Sequence, residues 1–297
     1  MSYEFLLQLI ANGIVIGLIY GLIATGLALL FGILHIVNFA HGEMVMLAMY
    51  AIAMAVPFLG GSYLLSFGLV VLAAILVGSL VSGPLLSTLS SREDGMEIFE
   101  KSLLLTLGVS IILLNGIQYI FTATPMMVTT DIPIGAIMLG PVRLSYGHAI
   151  AGGIAIVVFA GLYIFLTRTN GGRALRAVAQ NRDAALMIGL DPERIARRAV
   201  TLSIVLCAIG GAVLVPLYVF QPIVGQALIL KAFAIVIIGG MGNVLGAAVV
   251  ALGLGILESL VGGFASIVWQ NAIAFIGMIL VLLIRPQGLF ALAMRKG

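Results

Sequence analysis

Residues 5–42 read FLLQLIANGIVIGLIYGLIATGLALLFGILHIVNFAHG, and no Asp, Glu, Lys or Arg interrupts them. A helix of about 20 apolar residues is enough to cross the hydrocarbon core of a bilayer. This stretch is therefore a crossing with residues to spare, and its polar end, Asn38, His41 and Glu43, falls just beyond. The same charge-free pattern recurs at 44–91, 102–130, 144–167, 199–230, 232–257 and 259–284. None of these runs alternates apolar with polar residues, which excludes a transmembrane β-barrel. In lipid only a helix then satisfies the backbone within its own segment.

Composition agrees. Of 297 residues, 62% are hydrophobic and 8% charged, against about 25% charged in soluble domains. The expected fold is all-α, a polytopic transmembrane helical bundle forming one domain over 1–297. About eight spans are expected, near 5–31, 42–57, 64–87, 102–123, 147–167 and 199–220, then a broken or re-entrant pair within 228–260, then 263–284. No Lys or Arg precedes the first run, which is too long for a cleaved signal segment and is expected to be retained. Residues 122–146, with Pro125, Pro133 and Pro141, read as an extended loop. The single cysteine, Cys207, leaves no internal disulfide and no Cys-based metal cage, and one His with one Glu at 41–43 is too small a shell for a metal.

Orientation follows from arginine. The loop 168–198 carries seven arginines, Arg168, Arg173, Arg176, Arg182, Arg194, Arg197 and Arg198, and positive-rich loops stay in the cytoplasm. Arg285, Arg295 and Lys296 place the C-terminus there too. Counting back puts 122–146 and the N-terminus outside. An even number of crossings must then follow Arg198, which requires a reversal at Gly239-Gly240-Met241-Gly242-Asn243. Broken helices of this kind line cavities in transporters.

Three constellations stand out. Gly13, Gly17 and Gly21 recur every four residues and let two helix backbones approach closely, by internal packing or at a subunit contact. Asn38, His41, Gly42 and Glu43 cluster at membrane depth or just inside it; they form either a capped turn or a functional polar site. Lys231 and Glu258 flank the glycine turn at heights of about 14 and 24 Å, taking 1.5 Å per residue. They are either an ion pair reached by a bent arm or two residues snorkelling to headgroups. The loop 168–198 is helical in propensity, with Asp191 placed to cap a helix opening at Pro192. A short helix, 183–188, would show an apolar side to a partner.

Asp183-Ala184-Ala185, three residues, then Gly189 resembles the EAA loop of ATP-binding-cassette importer permeases, with Asp in place of Glu and without the downstream Ile-x-Leu-Pro. Residues 36–43 (IVNFAHGE) and 239–246 (GGMGNVLG), together with Lys231, Glu258 and Arg285-Pro286-Gln287-Gly288, resemble signatures of the branched-chain amino acid permease family. The likeness runs from about residue 5 to 290 and is nearest to the shorter of two paralogous permease subunits; the acidic loop 92–100 departs from it.

The resemblance implies a transport subunit, not an enzyme. It would work with a second permease subunit, two ATP-binding-cassette ATPases and a periplasmic or extracellular substrate-binding protein, in a prokaryotic inner membrane. ATP would be bound by the partners, and no cofactor by this chain, whose nearest phosphate-loop lookalike (95–102, GMEIFEKS) has Glu100 where glycine belongs. Asp183, Ala184, Ala185, Leu186, Ile188 and Gly189 would couple to the ATPase. Asn38, His41, Gly42, Glu43, Gly239, Gly240, Gly242 and Asn243 would border the pathway. Branched-chain or related amino acids are the implied substrates, with urea, short amides or aromatic acids as alternatives in the same build. A stand-alone secondary transporter or channel would need carboxylates deep within spans. An intramembrane enzyme would need a nucleophile and base that the sequence does not group.

The glycine turn makes a direct prediction. Gly240 and Gly242 are expected to hold backbone angles or contacts that a side chain forbids, so Gly240→Val should abolish uptake. Normal uptake would mean that the segment is an ordinary continuous helix.

Overall fold

The computed structural model describes residues 3–89 and 95–290. Arg295 and Lys296, which bear on orientation, and part of the acidic loop 92–100 lie outside them. The chain is a helical membrane protein. Its elements are α1 (Tyr3–Leu34), α2 (His41–Phe58), α3 (Tyr63–Leu89), α4 (Gly95–Phe121), β1 (Ala136–Leu139), β2 (Val142–Ser145), α5 (Tyr146–Arg168), α6 (Asn170–Gln180), α7 (Arg182–Met187), α8 (Pro192–Leu214), α9 (Val224–Gly239), α10 (Val244–Phe264) and α11 (Ile267–Ile284). Among the described residues, seven helices are long and apolar enough to cross a membrane, and two apolar helices at the C-terminal side are shorter. The expected loop 122–146 differs in one respect: 136–145 forms an antiparallel hairpin pairing Ala136 with Ser145 and Leu139 with Val142. Its turn at Gly140 has φ 62°, which proline spacing alone does not announce.

The long first helix is the axis of the bundle. Gly13 and Gly17 of α1 lie against the backbone of α10, where a methyl on Gly17 would sit 2.8 Å from the Ala251 carbonyl oxygen and from the Leu252 Cα. Gly21 instead accommodates the Phe159 ring of α5. The four-residue glycine spacing thus serves internal packing. On its other side α1 runs antiparallel to α8, with Gly26 facing the Ser203 carbonyl and Gly210 facing Ile23. Tyr63 closes this core by donating from its hydroxyl to the Ala212 carbonyl at 3.0 Å.

The order of elements repeats with opposite sense. In the first half a long helix (α1) is followed by a break at 35–40, a short helix (α2), a glycine turn (Gly60 φ 65°, Gly61 φ 84°) and two further helices, α3 and α4. In the second half α8 is followed by a break at 215–223, short α9, a glycine turn (Gly240 φ 94°, Gly242 φ 85°), α10 and α11. The pairings cross over: α1 packs on α10, and α8 packs on α3, where Gly78 meets Thr201. This is the arrangement of an inverted-topology repeat, with α5 to α7 as the connector.

The two short helices start inside the bundle. His41 Nε2 lies 2.8 Å from the Ile23 carbonyl oxygen, about 16 Å short of the Leu34 end of α1 at 1.5 Å per residue. The chain therefore turns back at His35 (φ 55°) and climbs through 36–40 before α2 begins. α9 begins at the same depth, since Gly42 and the Gly225 carbonyl are in backbone contact. From this junction α2 runs to one end and α9 to the other. The reversal at 240–243 sits at the arginine-rich end, against Gly32. The expected reversal at Gly239–Asn243, between a short arm and its return within 228–260, is the one that forms: the arm is Val224–Gly239 and the return Val244–Phe264, and the break that makes the arm short precedes it at 215–223, where Pro216 and Pro222 stop a helix. α8 likewise starts at Pro192, capped by Asp191 accepting from Glu193 N and Arg194 N, and ends earlier than the 220 that hydropathy alone marked.

Because neither glycine of the junction has room for a side chain, Gly42→Val should cost about 1–3 kcal/mol or more by overpacking. It should lower the melting temperature of the detergent-solubilised protein. Gly253→Ala, on a surface with no atom within 4 Å of its added methyl, should leave it unchanged. Equal behaviour of the two variants would remove the tight junction.

Candidate functional site

Four groups of residues carry polar or exposed chemistry. The first is the break at 35–40 and the start of α2. Asn38 Oδ1 accepts from Ala40 N at 3.0 Å, so Asn38 closes a turn. Thr106 of α4 accepts from Phe39 N at 3.1 Å and donates to Ser102 O at 2.8 Å. His41 is fully buried and also touches the Cys207 sulfur at 3.3 Å. Glu43 does not cap its own helix. Its Oε1 accepts from Ser110 at 3.3 Å, while Oε2 has no hydrogen-bond partner among the described residues and sits at Gly225, where a methyl would come within 2.5 Å of it. No side chain caps the first turn of α9. The carboxylate thus occupies the positive end of that half-helix.

The second group joins three helices. Lys231 Nζ of α9 lies 2.8 Å from Glu258 Oε2 of α10 and donates to the Tyr20 hydroxyl of α1 at 2.9 Å. That hydroxyl donates onward to Glu258 Oε2 at 3.0 Å. Of the two readings of Lys231 and Glu258, the ion pair is the one that forms. The height mismatch closes because Cβ atoms tilt toward a helix's N-terminus. In α9 that direction leads away from the glycine turn, and in α10 toward it, so the side chains approach.

The third group is the glycine turn. Gly240 adopts φ 94° and ψ 117°, open only to glycine. Asn243 caps α10 by accepting from Gly246 N at 2.9 Å and donates to the Phe290 carbonyl at 2.6 Å. Gly288 packs on Gly240, and Leu289 N donates to the Ile238 carbonyl at 2.8 Å. Gly240 and Asn243 are thus clasped to the segment after α11, while Gly239 packs on Gly246 and Ala247 of α10 and Gly242 on Gly32 of α1, rather than being gathered with Asn38 and Glu43. Between the two groups lies an apolar chamber of about 280 Å³ bordered by Leu27, Phe31, Phe39, Leu103, Phe233 and Met241, among others.

The fourth group is α7. Asn181 caps it by accepting from Ala184 N at 2.9 Å, and Gly189 ends it at φ 82°, as its position after the short helix implied. Ala185 departs from the expected exposed side. It is buried with Ile33, Leu175, Val178, Ile195 and Ala199. The outward apolar face is Leu186, Met187 and Ile188, the last two 87% and 74% exposed. Asp183, Ala184 and Gly189 are exposed around it.

Sequence reasoning did not single out Tyr20, Thr106, Ser110 or Asn181. Asn181 carries a signal, an Asn just before a short helical run. A hydroxyl inside an apolar span carries none until its neighbours are placed.

Comparison with known proteins brings these features together. The family model described as the branched-chain amino acid transport system permease component matches residues 9–283. The chain is 30% identical to the high-affinity branched-chain amino acid transport system permease protein BraD of Pseudomonas aeruginosa, covering 97% of this chain and 96% of that one. It is 29% identical to the protein LivH of the same description from Escherichia coli K12, over 97% of each. It is 27% identical to a probable branched-chain amino acid transport permease protein LivH of Methanocaldococcus jannaschii, over 93% and 89%. No solved structure matches. The match over residues 9–283 and the 30% identity over 97% of the chain make it a member of the branched-chain amino acid transport system permease family.

Proposed function

We propose that this chain is the membrane-spanning subunit of an ATP-binding-cassette importer that carries branched-chain amino acids into the cytoplasm. Its arginine-rich end would face the cytoplasmic ATPases and its hairpin end a substrate-binding protein. A second permease subunit would complete the pathway. The chain would do no covalent chemistry; hydrolysis would belong to its partners.

The observation that carries this reading is α7. Leu186, Met187 and Ile188 form an apolar knob on a basic surface, where water would otherwise favour polar side chains. The knob is held rigidly by a cap at Asn181 and a left-handed glycine at 189. Behind it, Ala185 is buried in one apolar cluster with Ile33 of α1 and Ala199 of α8. A push on the knob would therefore reach the two helices that precede the breaks, and the α2–α9 junction would be the element that responds.

The exposed face and the buried face of α7 make opposite predictions. Ile188→Glu should leave membrane levels normal while weakening ATPase association on the order of a hundredfold, the effect of burying an unpaired carboxylate in an interface. Uptake should fall with it. Ala185→Glu should lower the amount of folded protein instead. Full ATPase co-purification and full uptake with Ile188→Glu would rule out α7 as the coupling element.

A further inference from the structure

Along α9, Leu228, Ile229 and Ala232 are buried while Ile223, Gln226, Ala227 and Leu230 are exposed. These exposed residues form a stripe on one side of a helix of 3.6 residues per turn. Gly225 fixes the depth of this stripe, because it touches Gly42 next to His41, which itself bonds Ile23 well inside α1. An amide such as that of Gln226 cannot face hydrocarbon at that depth without losing its hydrogen bonds. The stripe therefore faces water or another polar surface, and Lys231, 13% exposed, lies on its edge.

Lys231 carries three N–H donors, of which two are engaged, by the Tyr20 hydroxyl and Glu258 Oε2. Glu258 is fully buried, and its Oε1 has no hydrogen-bond partner among the described residues. The cluster thus keeps one cationic donor on Lys231 and one buried anionic acceptor on Glu258 in reserve, the latter reached once Lys231 turns away. That is the complement of a carboxylate and an ammonium carried by one carbon atom. We propose that Tyr20, Lys231 and Glu258 form a binding station for the charged end of a zwitterionic amino acid arriving along the exposed stripe of α9, an inference that rests on the importer reading.

The charge balance supplies the selectivity. The pair is neutral and a zwitterion is neutral, so the exchange of partners leaves no net charge in the membrane. A free carboxylic acid or amine would leave one. Urea and short amides have no charge to offer either group. Lys231, on its flexible stem, turns its ammonium to the substrate carboxylate, Glu258 takes the substrate ammonium, and the Tyr20 hydroxyl stays within reach of both. The aliphatic chain then lies on Leu230 and Ala227.

The test uses the whole importer, with its ATPases, second permease subunit and binding protein, in proteoliposomes. The double variant Lys231→Met/Glu258→Gln removes both charges at nearly constant length, avoiding the lone buried charge of either single change. It should assemble and lose leucine uptake by about tenfold or more, the loss of at least one charged contact. A Gln226→Cys chain in a Cys207→Ala background should react with a hydrophilic thiol reagent, and leucine-loaded binding protein with ATP should slow the reaction. Wild-type leucine uptake by the double variant would overturn the station. So would an inert Gln226→Cys, which also decides the matter if the double variant fails to assemble. A wild-type complex that carries no amino acid but does carry another solute would overturn the importer's substrate class instead, a different failure.

Discussion

In hydrocarbon an unpaired backbone amide or carbonyl costs several kcal/mol, so a membrane chain can leave the helix only where other parts of the protein supply partners. This chain leaves it at 35–40, 215–223 and 240–243, and each departure is patched. Asn38 and Thr106 serve the first, with His41 reaching the Ile23 carbonyl. A bridge between Met126 and Phe220, with both backbone bonds made, serves the second. Asn243 and the segment after α11 serve the third. The glycines follow from the same constraint: where backbone substitutes for lipid around backbone, a Cβ is in the way, as at Gly42 and Gly225.

Patching creates polar density deep in the fold, and that density has two forms. Tyr20, Lys231 and Glu258 neutralise one another and tie α1, α9 and α10 together. Removing one partner of such a buried pair typically costs about 3–5 kcal/mol. Among the described residues no ion pair forms at Glu43; a hydroxyl from Ser110 and the positive end of α9 are its company. Such a carboxylate is held by dipoles that exist only while α2 and α9 meet. Movement of either half-helix would change its surroundings, which links the junction to the transport cycle that α7 is proposed to drive.

Much of this was legible in the residues. Hydropathy marked the spans, the Asp191-Pro192 pair marked the start of α8, and the spacing of Gly13 and Gly17 marked a close helix contact. Gly189 and Gly240 were recognisable as left-handed or glycine-only positions. The half-helices were harder. Within 199–239 the signal was Pro216 and Pro222, which mark where a helix stops but not that the chain then re-enters, because a break lined by protein is otherwise as apolar as a span. Ala185 could not be assigned to the inside of α7 on a helix of less than two turns, where every residue is near an end. Residue heights counted along the helices left the Lys231–Glu258 pair open beside snorkelling, because they follow Cα atoms, whereas the side chains lean toward each other.

The account depends on two helices that begin at the middle of the membrane and meet through Gly42 and Gly225. Electron cryo-microscopy of the assembled importer in a lipid nanodisc measures this directly, since the nanodisc density gives the midplane. The account predicts that His41, Gly42 and Gly225 lie at that plane, with α2 and α9 leaving it in opposite directions. A continuous helix through residues 31–58, or a junction displaced to either headgroup layer, would contradict it.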